Sequence, residues 1–244
     1  MVNGFTTTFN SSATVTAPGG GAPIASDPSN VGALFNGTPD TNGFGTGPSI
    51  STSVGSANPT GAGTILGWFS LAQLPSLISP TGIEYIAGRS QVGNDLDVQI
   101  QSDNRLYFFA NGGGNVNAAL PGPVLNTYYF FAATEDPTTQ ISDLYINGTL
   151  AATSTGDVSR SLHTSEFTIG DSSVFTPRNF DGSIDEVALY NRALSASEVE
   201  GIYRAASAPA VPEASTTVSF GLLLALGMGG VVVAAKRKKA QSAL

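Results

Sequence analysis

The stretch FDGSIDEVALYNRALSASEVEGIYRAA, residues 180–206, decides the fold. It contains IDEVALY (184–190), a short run of apolar and polar residues of the kind that predicts a β-strand. Further runs of this type, with turn residues between them, occur from Thr64 to Asn191. Regular short strands at this spacing are typical of a sandwich or a barrel. The other seven are ILGWFSL (65–71), IEYIAG (83–88), LDVQIQ (96–101), RLYFFA (105–110), YYFFAAT (128–134), SDLYIN (142–147) and EFTIG (166–170).

The same stretch also marks one helix. Ser195 and Glu198 stand three positions apart, which is the spacing of a helix capping box, and Leu194 and Val199 flank it as a hydrophobic staple. We therefore expect one short helix over 196–204, pinned to the sandwich by its apolar residues.

The order of motifs before this stretch resembles a known family. In LYINGTLAAT (144–153), Asn147-Gly148 predicts a two-residue hairpin turn. With the motifs around it, this segment resembles the LamG-like jelly roll of the concanavalin A-like lectin/glucanase superfamily, over roughly residues 30–206. The motifs are TYYFFAATED (127–136), FTIGDSS (167–173), the closing stretch 180–206, the early strand containing Trp68, and ALFNGTPDTNGFG (33–45) as a degenerate first strand and loop.

The resemblance implies an all-β fold. We expect residues 31–206 to form a two-sheet antiparallel jelly-roll sandwich with one short C-terminal helix. Residues 1–30 are rich in Gly, Ser, Thr and Asn and are predicted to be a low-complexity segment. Met1 is followed by neither a basic start nor an apolar run, so no secretory signal peptide is recognisable and we expect the natural N-terminus to lie further upstream.

The other end of the chain predicts a membrane segment. Residues 218–235, VSFGLLLALGMGGVVVAA, contain no charge and as a helix would nearly cross a bilayer. The cluster KRKK follows directly, and such clusters stay on the cytoplasmic side, so we expect residues 236–244 to be a basic cytoplasmic tail. Residues 207–217 are then a linker, and the single transmembrane helix follows the sandwich.

A short motif in the linker resembles a sorting signal. Val211, Pro212 and Glu213, followed by the apolar segment and the basic cluster, resemble the PEP-CTERM signal. The resemblance implies recognition by an exosortase-type membrane protease and removal of the helix. It also implies an exported protein, with an inner-membrane intermediate whose C-terminus is cytoplasmic, then release to the cell surface or to an exopolysaccharide matrix.

Composition excludes several classes of function. Six arginines and 17 acidic residues precede Ala206, which makes a net charge of −11, so we expect no binding of nucleic acid. The chain has no cysteine and one histidine, His163, which argues against a catalytic triad and against zinc. The alternating Glu and Asp residues of the superfamily's glucanases are absent, so we expect no enzymatic activity.

Asp185 is the one candidate metal ligand. In a regular strand it shares a face with Val187 and Leu189, and it would be partly buried if those two residues point inward. Its carboxylate would then accept backbone hydrogen bonds or ligate a structural Ca²⁺ ion. Loop residues that could complete such a site are Asp40, Asp171 and Asp181.

Aromatic residues offer a second kind of site. Tyr107, Phe108 and Phe109, and the run 128–131, place rings on both faces of their strands. Most of these rings should be core, and one or two exposed rings could stack on a sugar. The sequence favours a non-catalytic surface or matrix protein that binds carbohydrate through the sandwich. The alternatives are a structural or adhesive module that binds a surface protein and, less favoured, a glycoside-active enzyme.

Overall fold

The computed structural model describes residues 7–9, 14–15, 21–24, 30–37, 49–53, 61–75, 82–89, 95–110, 114–156, 158, 166–172 and 178–207. Its strands are β1 (Thr7–Phe9), β2 (Thr14–Val15), β3 (Ala33–Asn36), β4 (Ile50–Ser53), β5 (Gly63–Leu71), β6 (Ile83–Arg89), β7 (Asp95–Gln101), β8 (Arg105–Phe109), β9 (Val116–Ala119), β10 (Tyr128–Asp136), β11 (Ile141–Ile146), β12 (Thr149–Thr155), β13 (Glu166–Ile169) and β14 (Asp181–Tyr190). A helix, α1, spans Ala196–Ser207.

The strands form two antiparallel sheets of seven strands each. Sheet A has the order β1-β4-β13-β6-β7-β8-β9, and sheet B has the order β12-β11-β10-β5-β14-β3-β2. The predicted two-sheet antiparallel sandwich with a short helix is confirmed, and the eight strands expected from sequence are all present. Side chains from both inner faces interdigitate in one core, whose largest apolar members are Phe35, Phe69, Phe108, Phe131 and Phe180.

A second apolar cluster lies on the outer face of sheet B, under α1. The ring of Trp68 lies 5.3 Å from that of Phe130 and 5.7 Å from that of Tyr203 on the helix. Leu194 and Val199, the predicted staple, are both buried in this cluster. Helix α1 therefore covers the outer face of sheet B.

The capping box forms as expected. The backbone N–H of Ser195 donates to Oε2 of Glu198 at 2.9 Å, and the N–H of Glu198 donates to Oγ of Ser195 at 3.4 Å. These bonds satisfy donors at the helix start that have no partner inside the helix. The helix runs three residues past the expected end at Arg204.

The predicted hairpin turn joins β11 to β12. Asn147 and Gly148 have φ angles of 50° and 75°, as a type I′ turn requires. A Cβ added to Gly148 would lie 2.6 Å from Cδ1 of Tyr203, so a side chain is excluded by space as well as by the backbone.

Part of the architecture has little signal in the sequence. The predicted low-complexity segment contains β1 and β2, which have three and two residues, and β4 and β9 have only four residues each. Their threonine, serine and alanine residues do not produce an apolar alternation. Among the described residues no helix is both long and apolar enough to cross a membrane. Ser207, the first residue of the predicted linker, is the last residue of α1. The rest of the linker, the transmembrane segment and the basic tail lie outside the described residues and stay predictions.

Candidate functional site

The outer face of sheet A carries a row of side chains on β8. Leu106 and Phe108 are fully buried in the core between the sheets. Arg105, Tyr107 and Phe109 alternate with them and are only half-buried, so they lie on the opposite face. Of the consecutive aromatic residues in this run, Phe108 is therefore core, and Tyr107 and Phe109 are the ring pair that a ligand can reach.

The ring pair has a defined geometry. The ring centroids of Tyr107 and Phe109 are 6.0 Å apart and their planes are within 14° of parallel. The hydroxyl of Tyr107 donates to Oδ2 of Asp103 at 2.8 Å, and this hydrogen bond raises the pKa of Tyr107. The backbone N–H of Arg105 donates to the other oxygen of Asp103 at 3.1 Å. The turn before β8 thus holds the start of the strand and the first ring in place.

Arg105 is held by a neutral partner. Its Nε donates to Oδ1 of Asn117 at 2.6 Å, and its Nη2 donates to the Asn117 carbonyl at 3.3 Å. Asn117 lies on β9, the strand next to β8 at the end of sheet A. In the described part of the chain, no carboxylate forms an ion pair with this guanidinium.

Polar side chains extend the row across the neighbouring strands. Tyr85 on β6 pairs with Gln99 on β7, which pairs with Tyr107, which pairs with Asn117. Residues in register on adjacent strands project from the same face of a sheet. The outer face of sheet A therefore presents a band in which rings alternate with amide groups.

One half of this band is buried. Tyr85 and Gln99 are almost fully covered, and the Tyr85 hydroxyl donates to Oδ1 of buried Asp97 at 2.9 Å. Nη1 of Arg178, which precedes β14, donates to Oε1 of Gln99 at 3.2 Å. Burial lowers the pKa of Arg178, and the nearby charge of Asp97 acts in the opposite direction. The accessible part of the face is thus the β8–β9 half.

Asp185 does not lie where a regular strand would place it. The pairing of β14 with β5 shifts register between Asp185 and Ala188, and Glu186 has a φ of 50°. Asp185 is opposite Trp68, which belongs to the outer cluster under α1, whereas Val187 packs against the inner core. The expectation that Asp185 shares a face with Val187 and Leu189 is wrong, because a β-bulge reverses the alternation.

The Asp185 carboxylate is well supplied with donors. Its Oδ2 accepts the N–H of Ala22 at 2.9 Å and Nδ2 of Asn30 at 2.7 Å, and its Oδ1 accepts the N–H of Glu186 at 2.9 Å. It fixes the chain before β3 against the outer face of sheet B. This is the hydrogen-bonding role that the sequence left open beside a calcium role.

The other residues proposed for a calcium site are dispersed. Asp171 is buried after β13 and accepts the N–H of Ser172 at 2.7 Å. Asp181 is not in a loop but is the first residue of β14. Among the described residues, no group of three or more His, Asp or Glu side chains could hold a metal ion. Asp40, His163 and the sorting motif Val211-Pro212-Glu213 lie outside these residues, and the calcium hypothesis stays a prediction.

One buried carboxyl was not anticipated. Glu84 on β6 is fully buried and pairs with Ile100, so it faces the core. Its Oε2 accepts the N–H of Asp181 at 3.0 Å, and its Oε1 has no hydrogen-bond partner among the described residues. Burial raises the pKa of Glu84 to about 8, and burial also raises that of Asp181. A lone acidic residue inside the apolar run IEYIAG was the signal that could have revealed it.

Comparison with known proteins agrees with the architecture. A family model described as the concanavalin A-like lectin/glucanases superfamily matches residues 44–200. No curated protein sequence matches the chain.

Solved structures with a similar fold belong to larger proteins. The binding domain of botulinum neurotoxin serotype G has a TM-score of 0.60 at 14% identity, covering 82% of this chain and 46% of its own. The binding domain of botulinum neurotoxin DC in complex with SialylT has 0.57 at 14%, with the same coverage. Trypanosoma rangeli sialidase in complex with the inhibitor DANA has 0.51 at 18%, covering 71% of this chain and 27% of its own. At these identities the likeness establishes the fold alone, and the chain spans less than half of each relative.

Proposed function

Because the chain belongs to the concanavalin A-like lectin/glucanases superfamily, we propose that it is a non-catalytic carbohydrate-binding protein. The binding site is the accessible β8–β9 half of the outer face of sheet A. The observation that carries the proposal is the ring pair, Tyr107 and Phe109, which are half-buried and nearly parallel.

The surroundings of the ring pair suit a sugar. A pyranose ring has apolar C–H faces that pack on aromatic rings and hydroxyl groups around its rim that need hydrogen-bond partners. Pockets for such ligands combine aromatic surface with a few fixed polar groups. Here Asp103, Arg105 and Asn117 supply oxygen acceptors and N–H donors beside the rings, and their mutual bonds hold them in place.

The carboxylates near this face do not favour hydrolysis. Retaining and inverting glycosidases need two carboxyl groups that both reach the scissile bond. Of the described carboxylates here, Asp97 is fully buried against Tyr85, and Asp103 accepts the Tyr107 hydroxyl. Glu84, whose raised pKa would suit a general acid, faces the core on the other side of the sheet.

Some proteins of similar fold are known in complex with small ligands. Two proteins that contain a similar fold have been solved with a ligand: the binding domain of botulinum neurotoxin DC in complex with SialylT, and Trypanosoma rangeli sialidase in complex with the inhibitor DANA. Those ligands are theirs, and the part that resembles this chain is 46% of the first protein and 27% of the second. They contribute only that this fold occurs within proteins that bind such ligands.

We further propose that the protein works outside the cell. Val211-Pro212-Glu213, the apolar segment 218–235 and the basic end together suit export, anchoring in the inner membrane and cleavage by an exosortase-type protease. The released sandwich would then bind extracellular polysaccharide. The rival function is an adhesive module that recognises a surface protein instead.

A glycan array probed with the full chain tests the proposal. We expect binding to one or more polysaccharides, weakened roughly tenfold, about 1.4 kcal/mol, by Phe109→Ala. The matched control is Leu150→Ala, which removes an exposed apolar side chain on β12 in sheet B and should leave binding unchanged. Absence of binding to every glycan, with the chain folded, would contradict the proposal and favour the adhesive module.

A further inference from the structure

The positive charge of Arg105 is unusually available in this acidic protein. Two other described arginines form ion pairs at the surface, with 2.7 Å between Arg192 and Glu198 and 2.6 Å between Arg204 and Glu200. Arg105 instead has Asn117 as its side-chain partner, and an amide does not neutralise a guanidinium. In the described part of the chain the Arg105 guanidinium therefore has no ion pair, and the carboxylate of Asp103 beside it accepts the Arg105 backbone N–H and the Tyr107 hydroxyl instead.

The guanidinium of Arg105 has N–H donors that take part in no hydrogen bond among the described residues. A guanidinium has five N–H donors, and Asn117 takes one from Nε and one from Nη2. The donors on Nη1 have no acceptor among the described residues, and Nη2 retains one. Two adjacent nitrogens with free N–H groups match the two oxygens of a carboxylate.

The position of Arg105 relates this charge to the ring pair. Arg105, Tyr107 and Phe109 alternate along one face of β8, so successive members are roughly 7 Å apart along the strand. A single polysaccharide molecule lying along β8 would therefore contact both aromatic rings and also reach the guanidinium of Arg105.

We propose that this site selects polysaccharides that carry carboxylate groups, with Arg105 as the residue that determines the preference and Asn117 as the residue that positions it. The inference rests on the proposed glycan-binding function and deepens it by naming the ligand class. The ring pair provides affinity for the sugar chain, and Arg105 binds the carboxylate of a sugar acid at one end of the row.

The simpler alternative is that Arg105 only ties β8 to β9. The net charge of −11 before Ala206 gives this alternative weight, because an acidic protein repels acidic polymers at long range. The two alternatives differ in the relative affinity for acidic and neutral forms of one polysaccharide. If Arg105 is purely structural, the protein binds the acidic form no more tightly than the neutral form.

The test compares acidic polysaccharides with their own neutral forms. Polygalacturonate, alginate and hyaluronate are each used native and after reduction of their carboxyl groups to alcohols, and binding to the full chain is measured by calorimetry. We expect the native form of at least one to bind roughly tenfold or more tightly than its reduced form, as a charge-assisted hydrogen bond implies. Arg105→Gln should abolish that difference, so that the native and the reduced form bind with equal affinity.

Matched variants separate the site from general charge. Arg204→Gln removes the same charge from α1 and should keep the full preference. Phe109→Ala should weaken the native and reduced forms alike. Equal binding of native and reduced forms by the wild type, or a preference that survives Arg105→Gln, would overturn the inference. If neutral glycans still bind and Phe109→Ala weakens them, the proposed function survives that result; if no glycan binds, both fail.

Discussion

Glu84 is an ionisable residue in the protein core, where burying its charge lowers the free energy of unfolding. Substitution by glutamine removes the charge and so measures this loss of stability. The side chain is fully buried, one oxygen accepts the N–H of Asp181, and the other has no partner in the part of the chain that the structure describes. Glu84→Gln retains an oxygen that can accept the N–H of Asp181 and removes the ionisation. The shape of the core changes little, because an amide and a protonated carboxyl have nearly the same size.

The magnitude follows from the pKa of Glu84, which burial raises from 4.5 to about 8. At about 1.4 kcal/mol per pKa unit, a shift of this size is worth up to about 5 kcal/mol. Below pH 4.5 both the folded and the unfolded chain hold the proton, so the full stability is present. Between pH 4.5 and 8 the unfolded chain loses it and the folded chain keeps it, so the free energy of unfolding falls as pH rises. Above pH 8 both are ionised and the loss is complete.

Urea unfolding of the full chain at pH 5, 6, 7 and 8 measures this effect. We expect Glu84→Gln to gain stability relative to the wild type as pH rises, by about 3.5 kcal/mol from pH 5 to 8, because the rest of the full change falls below pH 5 and above pH 8. Glu200→Gln, which removes an exposed carboxylate on α1, is the matched control and should run nearly parallel to the wild type. A Glu84→Gln curve that is also parallel to the wild type would refute the reasoning, since the buried carboxyl would then have no proton linkage to folding.

Three further predictions concern the helix, Asp185 and the tail. Ser195→Ala removes the acceptor of the Glu198 N–H and should lower the free energy of unfolding by about 1 kcal/mol in urea titrations; no change would show that the cap is not needed. If Asp185 ligates calcium, Ca²⁺ will raise the melting temperature of the wild type and not of Asp185→Asn. Identical melting curves in calcium and in chelator would show that Asp185 binds no calcium and that its carboxylate makes only its three hydrogen bonds. Cleavage near Glu213 should remove about 31 residues, roughly 3 kDa of the 24.8 kDa chain, as seen by mass spectrometry of surface material, and replacing Pro212 and Glu213 should prevent it; an intact Leu244 on surface molecules would contradict this.

The sequence was informative where local patterns decide the structure. The capping box at Ser195 and the turn at Asn147-Gly148 both depend on residues close in the chain, and both form as expected. The strands were recognisable because each buries apolar side chains over several residues. No such pattern occurs in the short strands β1, β2, β4 and β9. These segments are strands because they pair with a neighbouring strand of the sheet, and that pairing cannot be seen in their own residues.

The site was harder to predict because it depends on which way each side chain points. In RLYFF, apolar residues occupy both faces of β8, so the alternation alone cannot say that Phe108 is core and that Tyr107 and Phe109 are not. At Asp185 the bulge with positive φ at Glu186 reverses the faces, and glutamate is not a residue that signals such a conformation. The hydrogen bond between Arg105 and Asn117 depends on the pairing of β8 with β9, which local sequence patterns do not reveal.

The place of β14 in sheet B has a consequence for how the protein is made. This strand is inserted between β5 and β3, and its pairing joins residues roughly 150 positions apart in sequence. A growing chain on the ribosome cannot complete the sheet until residue 190 has emerged, and until then β3 and β5 lack their central neighbour. Folding therefore waits for nearly the whole domain, and unfinished chains present open strand edges that chaperones must shield from one another. If the protein is exported as proposed, the same delay keeps the polypeptide unfolded, which is the state that a translocation channel accepts.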